Sequence, residues 1–231
     1  MLDDLGESGE RVEVPIFPLP NVVLFPHAVL PLHIFEERYK AMTAHALAGD
    51  RLIAMALLQP GWEKNYHGLA PIDPVVCIGK IISHEQLPDG CYNFLLLGVS
   101  RAKLVRETRQ RPFRVAEVQI IRACTAPEPA LAELRERLSA IFERGAFAVT
   151  PIARQFRQMF ADGVATADVA DLIAFNFLDA IPLKQQLLTE TDAEARIARL
   201  LSALESDPPP APLNVALGEI VLPLGDDPSL N

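Results

Sequence analysis

The stretch from Pro15 to Tyr39 limits the possible folds more than any other. Five prolines, at positions 15, 18, 20, 26 and 31, punctuate a run of Val, Ile, Leu and Phe. Proline fixes φ near about −65° and has no N–H, so such a run can be neither a helix interior nor a central strand paired along both edges. Its strands must lie at barrel rims or crossovers and cannot pair continuously, with the apolar neighbours filling the barrel. Further short apolar runs follow at 51–58, 75–83, 91–99, 102–107 and 114–122, joining those at 12–17, 22–24 and 28–34. Their spacing predicts a mostly antiparallel β-barrel. Asp89-Gly90 suits the positive φ of a tight hairpin turn, and Ser100 reads as a turn residue between two strands. One helix interrupts the pattern over 36–48: Glu36 and Glu37 suit its N-terminus, Gly49 its C-cap, and it is expected to plug one end of the barrel.

Beyond Arg122 the period changes. Leu131, Leu134, Leu138, Ile141 and Phe142 make the stripe of a helix with one buried face. Thr150-Pro151 pairs a cap residue with a first-turn proline, Thr166 or Asp168 starts a helix reaching about Ala180, and Thr191 or Asp192 caps a last one over 193–204. The expected organisation is a β lobe at 11–122, a helical bundle at 127–205 and a proline-rich tail at 207–231, with a hinge at 123–129. In fold class this is α+β.

Charge narrows the function. The net charge is −9, and residues 126–231 carry 16 acidic against 8 basic side chains, while residues 1–125 are close to balanced at 14 against 13. A dedicated nucleic-acid binder needs a basic footprint, so the acidic chain argues against one. No apolar run approaches the ~18 residues of a membrane helix, and the acidic start does not fit a signal peptide, so the expected compartment is the cytoplasm. Three cysteines at wide spacing, Cys77, Cys91 and Cys124, read as reduced and mostly buried.

Catalytic patterns are missing. No G-x-x-x-x-G-K-[ST] loop is present, Leu97–Arg101 is only a fragment of G-x-S-x-G, and the five histidines have no metal-ligand spacing. No enzyme activity, cofactor or metal is expected. The candidate contact residues are Trp62 and Tyr66, aromatics in the Gly/Pro-containing loop QPGWEKNYHGLAP, with Phe25 and His27 beside Pro26. Arg101, Lys103, Arg106, Arg109, Arg111 and Arg114 form a basic run that is either a contact for RNA or an acidic partner, or a solvated hairpin edge; the edge is favoured. Glu36 and Arg38 are each expected to pair with another element.

The segment PIFPLPNVVLFPHAVLPLHIFEERY closely resembles the opening of the Lon N-terminal, substrate-recognition domain. Pro15, Pro18, Leu19, Val23, Pro26, Pro31, Leu32, Ile34, Phe35, Glu36, Arg38 and Tyr39 match its pattern. Asp89-Gly90, Gly98-x-x-Arg101, Asp171–Ala174, Lys184–Leu188 and Arg196 resemble later parts of the same family; His27 departs from it, standing where many relatives have glycine. The resemblance implies a PUA-like β-barrel followed by a helical bundle, without the family's ATPase and protease domains. It implies a non-catalytic module that binds unfolded or hydrophobic polypeptide segments or a specific protein partner. The alternative is a PUA-like RNA-binding module.

The purified chain is expected to hydrolyse no ATP and to cleave neither casein nor short peptides. A coupled ATPase assay and a labelled-casein assay check this, and turnover that survives stringent purification overturns it.

Overall fold

The computed structural model describes residues 9–65, 69–109, 112–122, 124, 127–143 and 146–206. Six strands come first: β1 (Arg11–Leu19), β2 (Val29–Ile34), β3 (Leu52–Leu57), β4 (Val75–Gln86), β5 (Tyr92–Arg109) and β6 (Arg114–Ile121), with helix α1 (Glu37–Ala48) between β2 and β3. Five helices follow: α2 (Ala132–Ile141), α3 (Pro151–Ala161), α4 (Thr166–Phe177), α5 (Ile181–Thr189) and α6 (Ala193–Ser206). The class is α+β, a mixed sheet followed by helices.

The strand order is β2-β5-β4-β3-β1-β6, and β5 also pairs β6. The pairings β1–β3, β3–β4, β4–β5, β5–β6 and β6–β1 therefore run in a closed circuit of five strands, with β2 attached outside it on β5. All are antiparallel except β1–β3. Period-2 alternation then separates two cores. Val14, Ile16, Ala54, Ala56, Val76, Ile78, Ala102, Ala116, Val118 and Ile120 gather on one face, where the cluster includes no residue of the six α-helices. Four of these are alanine, as expected where side chains from several strands converge on the space the circuit encloses. Phe17, Ile53, Met55, Leu57, Val75, Cys77 and Ile81 point the other way and pack with the helices. Strands buried on both faces explain why the apolar runs were so nearly continuous.

Several sequence expectations change at this point. Helix α1 does not plug the circuit. Its buried Tyr39, Met42 and Ala46 lie with Phe17 in the other core, where the Phe17 and Tyr39 rings are 4.5 Å apart; the enclosed face is already filled by short side chains. The runs 91–99 and 102–107 are one strand, with Ser100 inside β5 and not in a turn. Residues 22–24 form no strand, although all three are buried. Glu36 and Arg38 do pair with each other, at 2.9 Å. Glu36 is the N-cap with extended φ and ψ, so the rule that helical neighbours two apart diverge does not govern it. Cys124 is exposed, unlike Cys77 and Cys91.

The sheet and the helices meet at a buried ion cluster. Arg101 of β5 donates to both carboxylate oxygens of Asp171 on α4, at 2.8 and 2.7 Å, and its Nε donates to the Leu188 carbonyl on α5 at 3.0 Å. Arg196 of α6 places Nε 3.0 Å from Asp171 Oδ1, a charge contact without hydrogen-bond alignment, and donates from Nη1 to the Glu190 carbonyl. Gln185 of α5 adds a bond to the Val75 carbonyl of β4.

Asp171→Ala removes the only carboxylate in this contact set and leaves two buried guanidiniums facing each other. It is expected to cost about 3–5 kcal/mol of stability. Urea titration followed by circular dichroism checks this, and a loss under ~1 kcal/mol, the scale of an exposed pair, overturns it.

Candidate functional site

An uncovered apolar surface is carried by the three-strand ribbon β2–β5–β4. Pairing between β3 and β4 ends at Leu52↔Lys80, while β4 continues to Gln86 against β5. The ribbon therefore extends beyond the circuit. Its inner face holds Leu30, Ile34, Ile81, Tyr92, Phe94 and Leu96, all in the main core. On its outer face Pro31 stands opposite Leu95, and Leu95 opposite Ser83. A bulge between Ile81 and Ser83 inserts Ile82, so two successive residues point outward there. The next row is His33, Asn93 and Glu85, with His33 Nδ1 2.7 Å from Asn93 Oδ1. Phe35 stacks on His33 at 6.2 Å between ring centroids.

Phe35, Ile82 and Leu95 are 50%, 48% and 38% exposed. Among the described residues the other large exposed hydrophobics, Leu69, Val105 and Val149, sit on separate elements. Only the ribbon gathers several on one face. The row Pro31, Leu95, Ser83 and Ile82 carries no charge; Lys80 and Glu85 flank it, exposed. Such a surface can hold apolar side chains and cannot select strongly for the sign of a partner's charge.

The residues singled out by sequence occupy other places. Phe25 is fully buried and presents no contact surface, because its loop is pressed against β5. Trp62 is half buried and packs against the enclosed core, and Tyr66 lies outside the described residues. The described part of the basic run is divided between the interior and the surface. Arg101 is consumed in the ion cluster, and Arg114 is buried, donating to Glu107 and to the Ala70 carbonyl. Arg106 pairs with Glu117, which also holds Arg11. Lys103 is exposed, and the Arg109 side chain and Arg111 lie outside the described residues. With Arg101, Arg106 and Arg114 neutralised or buried, the described part of the run gives no continuous footprint for phosphates.

His27 bridges sheet and helices at the surface. It holds a positive φ of 67°, donates its N–H to the Gly98 carbonyl at 2.8 Å, and places Nε2 3.4 Å from Asp168 Oδ1 on α4. The Asp168 hydrogen bond raises its pKa above the ordinary histidine value, against an opposing effect of burial. Among the described residues no group of three or more His, Cys, Asp or Glu is placed to hold a metal, and no helix is long and apolar enough to cross a membrane.

Residues 13–206 match the family model of the ATP-dependent protease La (LON) substrate-binding domain. The chain is 30% identical over 214 residues to Lon protease 2 of Herpetosiphon aurantiacus, covering 90% of this chain and 25% of that protein. It is 25% identical over 201 residues to Lon protease of Escherichia coli K12, covering 87% and 26%. The chain thus spans about a quarter of the length of these relatives. Among solved structures it is similar to the N-terminal domain of Mycobacterium avium complex Lon protease, with TM-score 0.64, 20% identity, and 85% of this chain and 99% of that chain covered. It is also similar to the Lon N-terminal domain protein of Xanthomonas campestris, with TM-score 0.59, 21% identity, and coverage of 83% and 98%.

The raised pKa of His27 sets a direction for stability. The His27–Asp168 contribution is fully present below the unfolded-state value and is lost as pH rises through the higher folded value. His27→Asn, which keeps a residue tolerant of positive φ, should flatten the melting-temperature profile between about pH 6 and 8. Calorimetry across that range checks it; an unchanged profile overturns the pairing.

Proposed function

The chain belongs to the family of the ATP-dependent protease La (LON) substrate-binding domain, and from that premise we propose that it recognises polypeptides by their exposed apolar segments, held on the outer face of β2–β5–β4. The uncharged row Pro31, Leu95, Ser83 and Ile82, extended by Phe35, carries this reading. Apolar side chains are exposed by unfolded or partly folded proteins and hidden in native ones, so a surface that takes them without selecting charge distinguishes folding state. Recognition, not turnover, is the chemistry it supports.

The closed five-strand circuit with its alanine-rich interior supports reading the β part as a PUA-like barrel, with the helices as a bundle packed on its outside. The ion cluster holds the two parts in one arrangement, so the ribbon is presented on a fixed support. We place the chain's action in the cytoplasm.

Ile82→Asp with Leu95→Asp should weaken binding of reduced, carboxymethylated α-lactalbumin by roughly 30-fold, corresponding to ~2 kcal/mol at an apolar hot spot. The melting temperature should fall far less than on truncating a core residue, because both side chains are already partly in water, at 48% and 38% exposed. Trp62→Ala should do the reverse, lowering melting without altering affinity. Fluorescence anisotropy and calorimetry read the two quantities; unaltered binding with an intact fold overturns the assignment.

A further inference from the structure

The same ribbon has open edges, and the manner in which they are closed to pairing specifies how a segment is read. β2 is the outermost strand, and among the described residues no strand pairs with its outer side. The Gly98 N–H donates to the Ala28 carbonyl, and the register then pairs Leu30 with Leu96, Leu32 with Phe94 and Ile34 with Tyr92. Two-residue alternation directs the backbone groups of residues 28, 30, 32 and 34 to β5, leaving those of 29, 31 and 33 for the open edge. The middle one of these is Pro31, which has no N–H to give. An added strand would meet a gap at the centre of a three-position ladder. On the other side, β4 beyond Lys80 is free of β3, but the bulge at Ile82 breaks its regular spacing, and the Ile81 N–H is already taken by the Arg51 carbonyl at 2.9 Å. Both edges are thus blunted, while the face between them stays apolar.

The face is also small. Three strands about 4.8 Å apart, over the six steps from Val29 to Phe35 at about 3.4 Å each, span about 300 Å². A stable interface between folded chains needs about 800 Å² from each partner, so neither a second copy of this chain nor another folded subunit is secured here alone.

Resting on the reading of this face as the recognition surface, we propose that its occupant is a single short apolar segment, of about six to eight residues, bound through its side chains alone and with no strand added to either edge. Backbone hydrogen bonds of the segment remain with water or with its own helix. The segment need not be extended, and sequence order along it matters little, provided that two or three apolar side chains lie within the reach of Pro31, Leu95, Ile82 and Phe35.

The test uses the full chain and a fluorescein-labelled decapeptide with Leu, Val and Phe at alternating positions, beside two versions N-methylated at the odd or the even residues. One or other version lacks the donors that strand addition would require in either register. Both are expected to bind within about threefold of the parent peptide, and all three to weaken at least tenfold on Ile82→Asp with Leu95→Asp. A loss of tenfold or more in either methylated version, with the parent peptide bound at this face, overturns the side-chain mode and leaves the recognition surface standing. A parent peptide that ignores the double substitution overturns the surface itself, and the mode with it. Pro31→Val restores the missing donor and should gain at least a severalfold preference for the unmethylated peptide; no gain overturns Pro31 as the block. Dimerisation of the unmodified chain that Leu95→Asp abolishes would show the face to be a self-association surface and would also overturn the proposal.

Discussion

Everything in this molecule passes through the middle of β5. Residues 92–97 of that strand pair with β2, residues 101–109 with β6, and β4 runs alongside both. The handover occurs at Gly98, where the loop carrying Phe25 crosses so closely that a Cβ would lie 2.0 Å from the Phe25 carbonyl oxygen. Only a residue without a side chain permits that crossing, and the crossing is what lets one strand belong to both the circuit and the ribbon. Three residues later Arg101 leaves the strand into the helices. Ribbon, circuit and bundle are therefore positioned by four consecutive residues.

The ion cluster that follows is better understood as a specifier than as glue. Removing two guanidiniums and a carboxylate from water is costly, and the attraction between them offsets that cost only when the geometry is near ideal. Here Arg101 is bidentate and its third donor is satisfied, whereas Arg196 makes a less aligned contact, and burial lowers its pKa. Apolar residues would have filled the same space at less cost in desolvation. They would also have let α4, α5 and α6 slide against β5, since hydrophobic contact has no direction. Charged groups with fixed fork geometry tolerate one arrangement, which is what a rigidly presented ribbon needs.

How far the sequence revealed this depended on whether the deciding interactions were local. The Asp89-Gly90 hairpin, the Gly49 end of α1 and the Thr150 cap of α3 were legible, because turn and cap chemistry lies within a few residues: Gly90 has a φ of 82°, and the Thr150 hydroxyl accepts from Ala153. Misreadings arose where a partner was distant. Ser100 looks like a turn residue until its pairing with Ile78 of β4 is considered, and α5 falls between the helix expected to reach about Ala180 and the one expected over 193–204, with Pro182 in its first turn. Family likeness marked Arg101, Asp171 and Arg196, but nothing in the residues themselves joined them. The apolar face was hidden for a different reason. Ile81 and Ile82 are chemically identical neighbours; alternation in register with β5 buries the first, and the bulge before Ser83 sets Ile82 and Ser83 outward together.

That bulge also explains how the fold carries an open apolar surface without depending on it. The ribbon is anchored by its inner row, Leu30, Ile34, Ile81, Phe94 and Leu96, each 3% exposed or less. Those side chains carry the burial, at roughly 25 cal/mol per Å² of apolar surface removed from water, that holds the ribbon to the main core. The outer row contributes little of that kind, so its composition is free to answer to binding. Exposed apolar strands ordinarily invite edge pairing and aggregation, and the usual remedy is a charge in the middle of the strand. A charge there would abolish the apolar face. A proline at the edge and a bulge at the opposite side block pairing through the backbone and leave the side chains untouched, which is the one remedy compatible with a surface that must remain apolar.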